Sequence, residues 1–433
     1  IIVMNFAQIG TSLPGVFNVE WPEGYLNLLS KFDIVNVNIL ELTGTTCAAR
    51  ITHTHKLLAM FCLPFLLVVY ALVKYIVGRA KAARLVKASN AAKQDALWLA
   101  AAAQAFDVVD HEGDEALNAG ELTELLSHMN VILDKEQAEA LLIDWSDGAP
   151  VLFEDGTKEL SRVAFLRSVR GPKGKKLIHR AERTKLISWT QNFKNISKAF
   201  ASVGELMFAV HAPVSQTAFE WFWFVQLGDT FVMRADPRIT RASPEWLASL
   251  PLAIFVLAVL TAGLPLVLGS YLYSHRQTLD SVVTLSRFGW MYDRYSPGVE
   301  WWGLHELFRK CVLTGLLIYI DAIEMRVACA LFVSIVAILN LNYWSPFRNY
   351  VVFWVSQVAF CMTALKYVIA MFRLTIAHRG NADQYSELGT FLIVIELFTF
   401  SLFVVGAVLC VFYVTTEVKK SGGVDVDEAE EKL

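Results

Sequence analysis

Two unbroken apolar runs constrain this chain more than anything else in it: KLLAMFCLPFLLVVYALVK at 56–74 and WLASLPLAIFVLAVLTAGLPLVLGSYLY at 246–273. A helix needs about 20 apolar residues to cross bilayer hydrocarbon, and in lipid only helices and closed barrels satisfy their own backbone. Runs this long without alternation predict helices. Four more have the same character, at 304–320, 325–343, 351–371 and 388–414, the first short and carrying Arg309 and Lys310 in its opening turns. Two are weaker. Residues 1–17 read as the surviving half of a span. Residues 196–225 are interrupted by His211 and Pro213 but end in the aromatic run FEWFWF, which suits a membrane interface. The total is about eight crossings. Composition agrees, because charged residues make up 18% of the chain where about 25% is usual in soluble domains. The expected fold class is all-α, a polytopic transmembrane helix bundle with one soluble helical insert. The opening IIVMNFAQIG has no basic segment or cleavage site. It reads as the remainder of a longer chain and not as a signal peptide.

Basic residues orient the bundle. Lys74, Arg79, Lys81, Arg84 and Lys87 follow the 56–74 run, so that end is expected in the cytosol. Alternation then places 75–195, 274–303, 344–350 and the tail inside, with 226–245 and 374–387 outside. Arg234, Arg238, Arg241 and Arg379 run against the rule. The domains expected are two spans over 1–78, a cytosolic insert over 79–178, a connector over 179–198, a six-span bundle over 199–416 and a disordered acidic tail over 417–433. In the connector, Leu186, Trp189, Phe193 and Ile196 recur at helical spacing. Two readings stay open for that stripe: headgroup contact or packing on the insert.

The insert contains FDVVDHEGDEALNAGEL at 106–122, an acidic island in an apolar chain. A calcium-binding helix–loop–helix takes oxygens from loop positions 1, 3, 5, 7, 9 and 12. Starting at Asp110, these positions are Asp110, Glu112, Asp114, the Ala116 carbonyl, Asn118 and Glu121. The expected cofactor is therefore Ca2+. Leu117 stands where two such loops pair. Position 6, normally glycine because the chain turns with positive φ there, is Glu115, which predicts weakened binding. The other reading is an acidic helix start that binds nothing specific. A second loop, aligned by Leu160 to Leu117, has Phe153, Asp155 and Ala164 at positions 1, 3 and 12 and is expected to pair without binding much calcium.

Ionisable residues within spans are functional candidates, since lipid disfavours them. Glu306, Arg309 and Lys310 lie at i, i+3 and i+4, which favours a local ion pair. Lys366 and Glu396 reach similar depth in adjacent antiparallel spans. They form either a pair or two separate residues facing the interior or snorkelling, and the second is the plainer reading. Asp321, Glu324 and Arg326 are expected to be solvated in a tight turn. The six cysteines show no metal spacing, and no disulfide framework is expected. No nucleophile elbow, HExxH, P-loop or dinucleotide fingerprint occurs, so an enzyme is not expected. Nor is nucleic-acid binding.

Four stretches carry a family resemblance: NFAQIGTSLPGVFNVEWP (5–22), VHAPVSQTAFEWF with MRADP (210–222 and 233–237), SRFGWMYDRYSPGVEWWGLHELFRKCVLTG (286–315) and NYWSPFRNY (342–350). In order, they resemble the C-terminal region of very large multi-pass proteins of algae, oomycetes and other protists, loosely similar to TRP and polycystin channels. The family's outer loop near 225–240 carries a cysteine pair that this chain lacks. The resemblance implies a channel-like bundle and supplies no catalytic residues. The function expected is a calcium-responsive multi-pass membrane protein, either a TRP-like channel or a channel-regulatory subunit. Its partners would be the lipid bilayer, calcium, and further copies or other membrane subunits. The alternatives are a membrane anchor or scaffold for a large extracellular region and, third, a secondary transporter.

Overall fold

The computed structural model describes residues 2–17, 21–31, 52–88, 91–111, 113–129, 131–146, 151–152, 158–171, 174, 177–178, 180–379, 390–406 and 408–409. Glu112, Cys47, Phe153, Asp155 and the tail 417–433 lie outside them. The chain is mostly helical and divides into two units. The first comprises Ile1–Pro64, Met207–Ser270 and Arg294–Leu433, and the second Phe65–Leu206 and Tyr271–Asp293.

Among the described residues four helices are long and apolar enough to cross a membrane: His53–Lys81, Pro244–Ser274, Ile323–Trp344 and Tyr350–Thr375. This is consistent with an all-α membrane protein. The other expected spans take different forms. Ile2–Phe17 is a helix with Ile9, Leu13 and Phe17 buried in the core. The 304–320 run divides at Gly315 into Trp302–Thr314 and the 3-10 turn Leu316–Tyr319. The 196–225 run is the end of one 42-residue helix, Arg180–Trp221, followed by the hairpin Phe224–Leu227 and Thr230–Met233. From 388–414, Thr390–Gly406 is a shorter apolar helix.

In the first unit, the Pro244–Ser274 span starts at a sequence-encoded cap. Ser243 accepts from the Trp246 amide at 3.3 Å, and Pro244 sits in the first turn, where no amide hydrogen is needed. The span widens to a π-helix over Val256–Gly263, and the His211 ring meets the Thr261 carbonyl in that segment at 3.0 Å. The histidine that interrupts the 196–225 run is thus a buried partner for a backbone carbonyl. Ile2–Phe17 shares one core with Leu313, Leu317, Val327, Tyr367 and Ile395. Arg326 departs from expectation. It is buried and donates to the Ile320 carbonyl at 2.6 and 2.9 Å and to the Val16 carbonyl at 2.5 Å. The last carbonyls of a helix have no partner within it, so a guanidinium at the end of Ile2–Phe17 finds acceptors that solvent would otherwise supply.

In the second unit, Ala91–Val109, Ala119–His128, Lys135–Trp145 and Arg162–Arg170 surround a small antiparallel sheet. Strand Lys158–Ser161 lies between Ala116–Leu117 and Val151–Leu152. Leu117 stands opposite Leu160, the register expected from the sequence. Asn118 and Asp134 each cap a helix through a reciprocal capping box. Phe106, Leu125, Trp145 and Phe165 fill the core, and Leu186 and Ile187 of the connector join it. Trp189 stacks on His128 with ring centroids 4.2 Å apart. Of the two readings of the connector stripe, packing on the insert is the one these contacts match.

Gly315 sits where a Cβ would come within 2.2 Å of Phe219 Cδ2, whereas one at Gly15 would meet nothing within 4 Å. Overpacking of this kind costs about 1–3 kcal/mol. Gly315→Ala is expected to lower the thermal midpoint of the purified protein in micelles, and Gly15→Ala to leave it unchanged or raised.

Candidate functional site

The acidic loop between Ala91–Val109 and Ala119–His128 is ordered by its own carboxylates. Asp110 Oδ1 accepts from the Gly113 amide at 2.7 Å, and Oδ2 from the Glu115 amide at 3.1 Å. Asp114 Oδ1 accepts from the Ala116 amide at 3.0 Å. Glu121 Oε1 accepts from the His111 amide at 2.9 Å, and Oε2 from the Asn118 amide at 3.1 Å. Asn118 Oδ1 in turn accepts from the Glu121 amide at 3.0 Å. The chain turns as the loop pattern anticipates, with Gly113 at φ 75° and Glu115 at φ 61°. The Glu115 carbonyl accepts from the Arg162 amide at 2.9 Å, which fastens the turn to the second loop.

Carboxylates at 110, 114 and 121, an amide oxygen at 118 and the carbonyl of 116 are hard-oxygen donors of the kind calcium takes. Among the described residues, no three His, Cys, Asp or Glu side chains are gathered as around an ion. Asp110 and Glu121 face backbone amides instead. Ala164, at position 12 of the second loop, lies in the first turn of Arg162–Arg170 and has no carboxylate to offer. Glu121 is nearly buried. Burial pushes its pKa up, the His111 and Asn118 amides pull it down, and the net shift is upward.

A second constellation lies in the first unit. Glu306 and Arg309 form the expected local pair at 2.9 Å, both buried. Lys310 does not join it and donates to Gln8 Oε1 at 3.2 Å, while Gln8 Nε2 donates to the Ala209 carbonyl at 2.8 Å. Asn5 Nδ2 donates to the same Glu306 oxygen that Arg309 holds, at 3.1 Å. The Arg309 guanidinium lies over the Phe360 ring at 4.0 Å. Lys366 and Glu396, for which separate positions were the plainer reading, are instead paired at 2.5 Å and almost wholly buried. The reason is packing. The Tyr25 hydroxyl donates to Glu396 Oε1 at 3.4 Å, Lys366 lies 3.9 Å from the Phe6 ring centroid, and Gly10 leaves room beside both charges.

Sequence reasoning missed Asn5, Gln8 and Tyr25. Asn5 and Gln8 are three residues apart in an otherwise apolar run, and that spacing was the available signal. No family model, curated protein or solved structure matches the chain.

Removing one member of a buried pair strands the other charge at about 3–5 kcal/mol, whereas replacing both with apolar residues is often neutral. Lys366→Met is therefore expected to destabilise the protein strongly, and Lys366→Met with Glu396→Leu to recover most of the loss in denaturant unfolding. For Glu121, a raised pKa means that the folded state holds the proton more tightly than the unfolded state. That contribution is complete below the unfolded carboxylate value and fades as pH rises through the folded one. The calcium-free protein is expected to gain stability on acidification through that window, and Glu121→Gln to lack the gain, as read by thermal midpoints across pH.

Proposed function

We propose that this chain is a calcium-responsive, multi-pass membrane protein of TRP-like design, with an EF-hand insert on the cytosolic side of about eight membrane crossings. The observation that carries the reading is the 110–121 loop. It has an oxygen donor at each ligand position, Glu115 in the left-handed turn and Leu117 paired with Leu160. Calcium would displace loop amides from Asp110 and Glu121 and shift the flanking helices. Ala119–His128 meets the helix Arg180–Trp221 through the His128–Trp189 stack. That continuous helix carries the chain out of the insert, which makes it the natural route to the membrane helices. The output proposed is ion conduction or its gating, in line with the sequence resemblance to the TRP- and polycystin-like region.

One observation favours the membrane-anchor reading. Lys366 is paired with Glu396, and Arg309 with Glu306. Charges held in this way already have their counter-ions within the protein and need none from a passing ion. In an anchor, the same calcium loop would tune assembly.

Calcium titration of the purified full chain by calorimetry tests the sensor. Saturable heat is expected, and it should vanish in Glu121→Gln. Glu115→Gly removes a left-handed penalty of about 1 kcal/mol that the ion-free loop already carries, and is expected to raise the thermal midpoint while leaving calcium affinity nearly unchanged. Absence of saturable heat in the unmodified chain would sink the sensor reading. Calcium-dependent currents from reconstituted protein would favour the channel, and silent bilayers with intact calcium binding the anchor.

A further inference from the structure

The Glu306–Arg309 pair borders a small cavity of about 20 Å³ in the first unit, walled on its apolar side by Phe6, Phe347 and Phe360. Two atoms of its lining residues have no hydrogen-bond partner although both are buried: Asn5 Oδ1 and Arg309 Nε. Asn5 and Arg309 are 3% and 4% exposed. Buried polar atoms are nearly always satisfied, and an orphan that is charged or on an amide is costly. These two orphans are complementary, one an acceptor and the other a donor. Their residues are neighbours, because Asn5 Nδ2 and Arg309 Nη2 converge on one oxygen, Glu306 Oε2, at 3.1 and 2.9 Å. Two of the other polar lining groups are already used, and Arg294 and Tyr295 complete the polar lining. Ser356 Oγ donates to the Val352 carbonyl and Thr363 Oγ1 to the Ala359 carbonyl, each at 2.8 Å.

We propose that this cavity is a binding site for one neutral hydroxyl, supplied either by a buried water or by the head of a membrane alcohol such as a sterol or diacylglycerol. Size sets the first limit, since about 10–15 Å³ of such space holds one water-sized group and little more. Charge sets the second. A cation would meet the Arg309 guanidinium, and an anion would meet the Glu306 carboxylate and the Asn5 carbonyl. Only a group that both donates and accepts answers the two orphans together. A hydroxyl accepts from Arg309 Nε–H and donates to Asn5 Oδ1, and it leaves the Glu306–Arg309 pair intact. The site does not depend on the calcium loop and stands or falls separately from it.

The test is a map of the full chain in nanodiscs at a resolution that shows ordered waters. One sample holds phosphatidylcholine alone, and the other adds cholesterol and dioleoylglycerol. The expected result is a peak within about 3.2 Å of both Asn5 Oδ1 and Arg309 Nε. An isolated peak in both samples identifies water. A peak that continues into a tail, present only with the added lipids, identifies the alcohol. Arg309→Lys keeps a cation for Glu306 but lacks the Nε–H, and Asn5→Leu removes the acceptor. Each variant that folds is expected to lose the peak. An empty cavity in both samples, a peak bound to Glu306 without contact to Arg309 Nε, or a peak undiminished in the variants would overturn the proposal.

Discussion

Lipid offers a buried charge nothing, so each one must find its partner within the protein, and in the first unit much of that demand falls on the helix Ile2–Phe17. Lys310, Lys366 and Arg326 are buried cations, and each meets Ile2–Phe17. Lys310 donates to Gln8, Lys366 lies over Phe6, and Arg326 donates to the Val16 carbonyl. Asn5 reaches Glu306 from the same helix. A side chain at position 10 would press on both Glu396 and Lys366 at 3.2 Å. This explains why the helix is so deeply buried. Its polar side chains answer charges on Trp302–Thr314, and its Phe6 ring and Val16 carbonyl answer charges on the helices that follow. Losing its packing would strand several charges at once, so the electrostatics and the apolar core of this unit cannot be separated.

Much of this was legible in the residues, for reasons that differ from place to place. The Pro244–Ser274 span is readable because apolar length alone decides it. The Leu117–Leu160 register is readable because the loop motif fixes each residue's position relative to the turn. The helix start at Lys135 follows from Asp134 and Gln137, a local capping exchange that needs no tertiary information. Lys366 and Glu396 were placed at similar depth, but their pairing was not. Depth depends on rise along a helix, whereas pairing depends on the rotation of two helices about their axes. That rotation is set by Gly10, Phe6 and Tyr25, residues distant in sequence. Arg326 was misread for a related reason. Its acceptors, the Val16 and Ile320 carbonyls, are backbone atoms, and no side-chain pattern announces them.

The connector shows how one periodic stripe serves two readings until its neighbours are known. Leu186, Trp189, Phe193 and Ile196 have the spacing of a helix that lies on headgroups, and equally that of a helix packed on a protein core. Leu186 is wholly buried in the insert core and Trp189 is covered by His128, while Ile196, farther along, is exposed. The stripe is therefore used at its start and free at its end. Periodicity reports that a face is apolar, and only packing reports what covers it.

In the 110–121 loop, Glu121 holds two positions at once. As the third residue of its helix it completes the capping box with Asn118, and through its other oxygen it holds the His111 amide. Both bonds order the loop without an ion. A cation that recruits Glu121 must take these oxygens from the amides they serve, so part of its binding energy goes into replacing bonds that already exist. The backbone is meanwhile already turned, with Glu115 kept at positive φ by its carbonyl's bond to the Arg162 amide. Little chain entropy then remains to be lost on binding. A response to such a cation would fall on the carboxylates of Asp110 and Glu121, and Glu121 lies in the first turn of Ala119–His128, the helix whose far end carries His128 against Trp189. With the backbone already turned, the change falls on those side chains, and through Glu121 it reaches the element in contact with the connector.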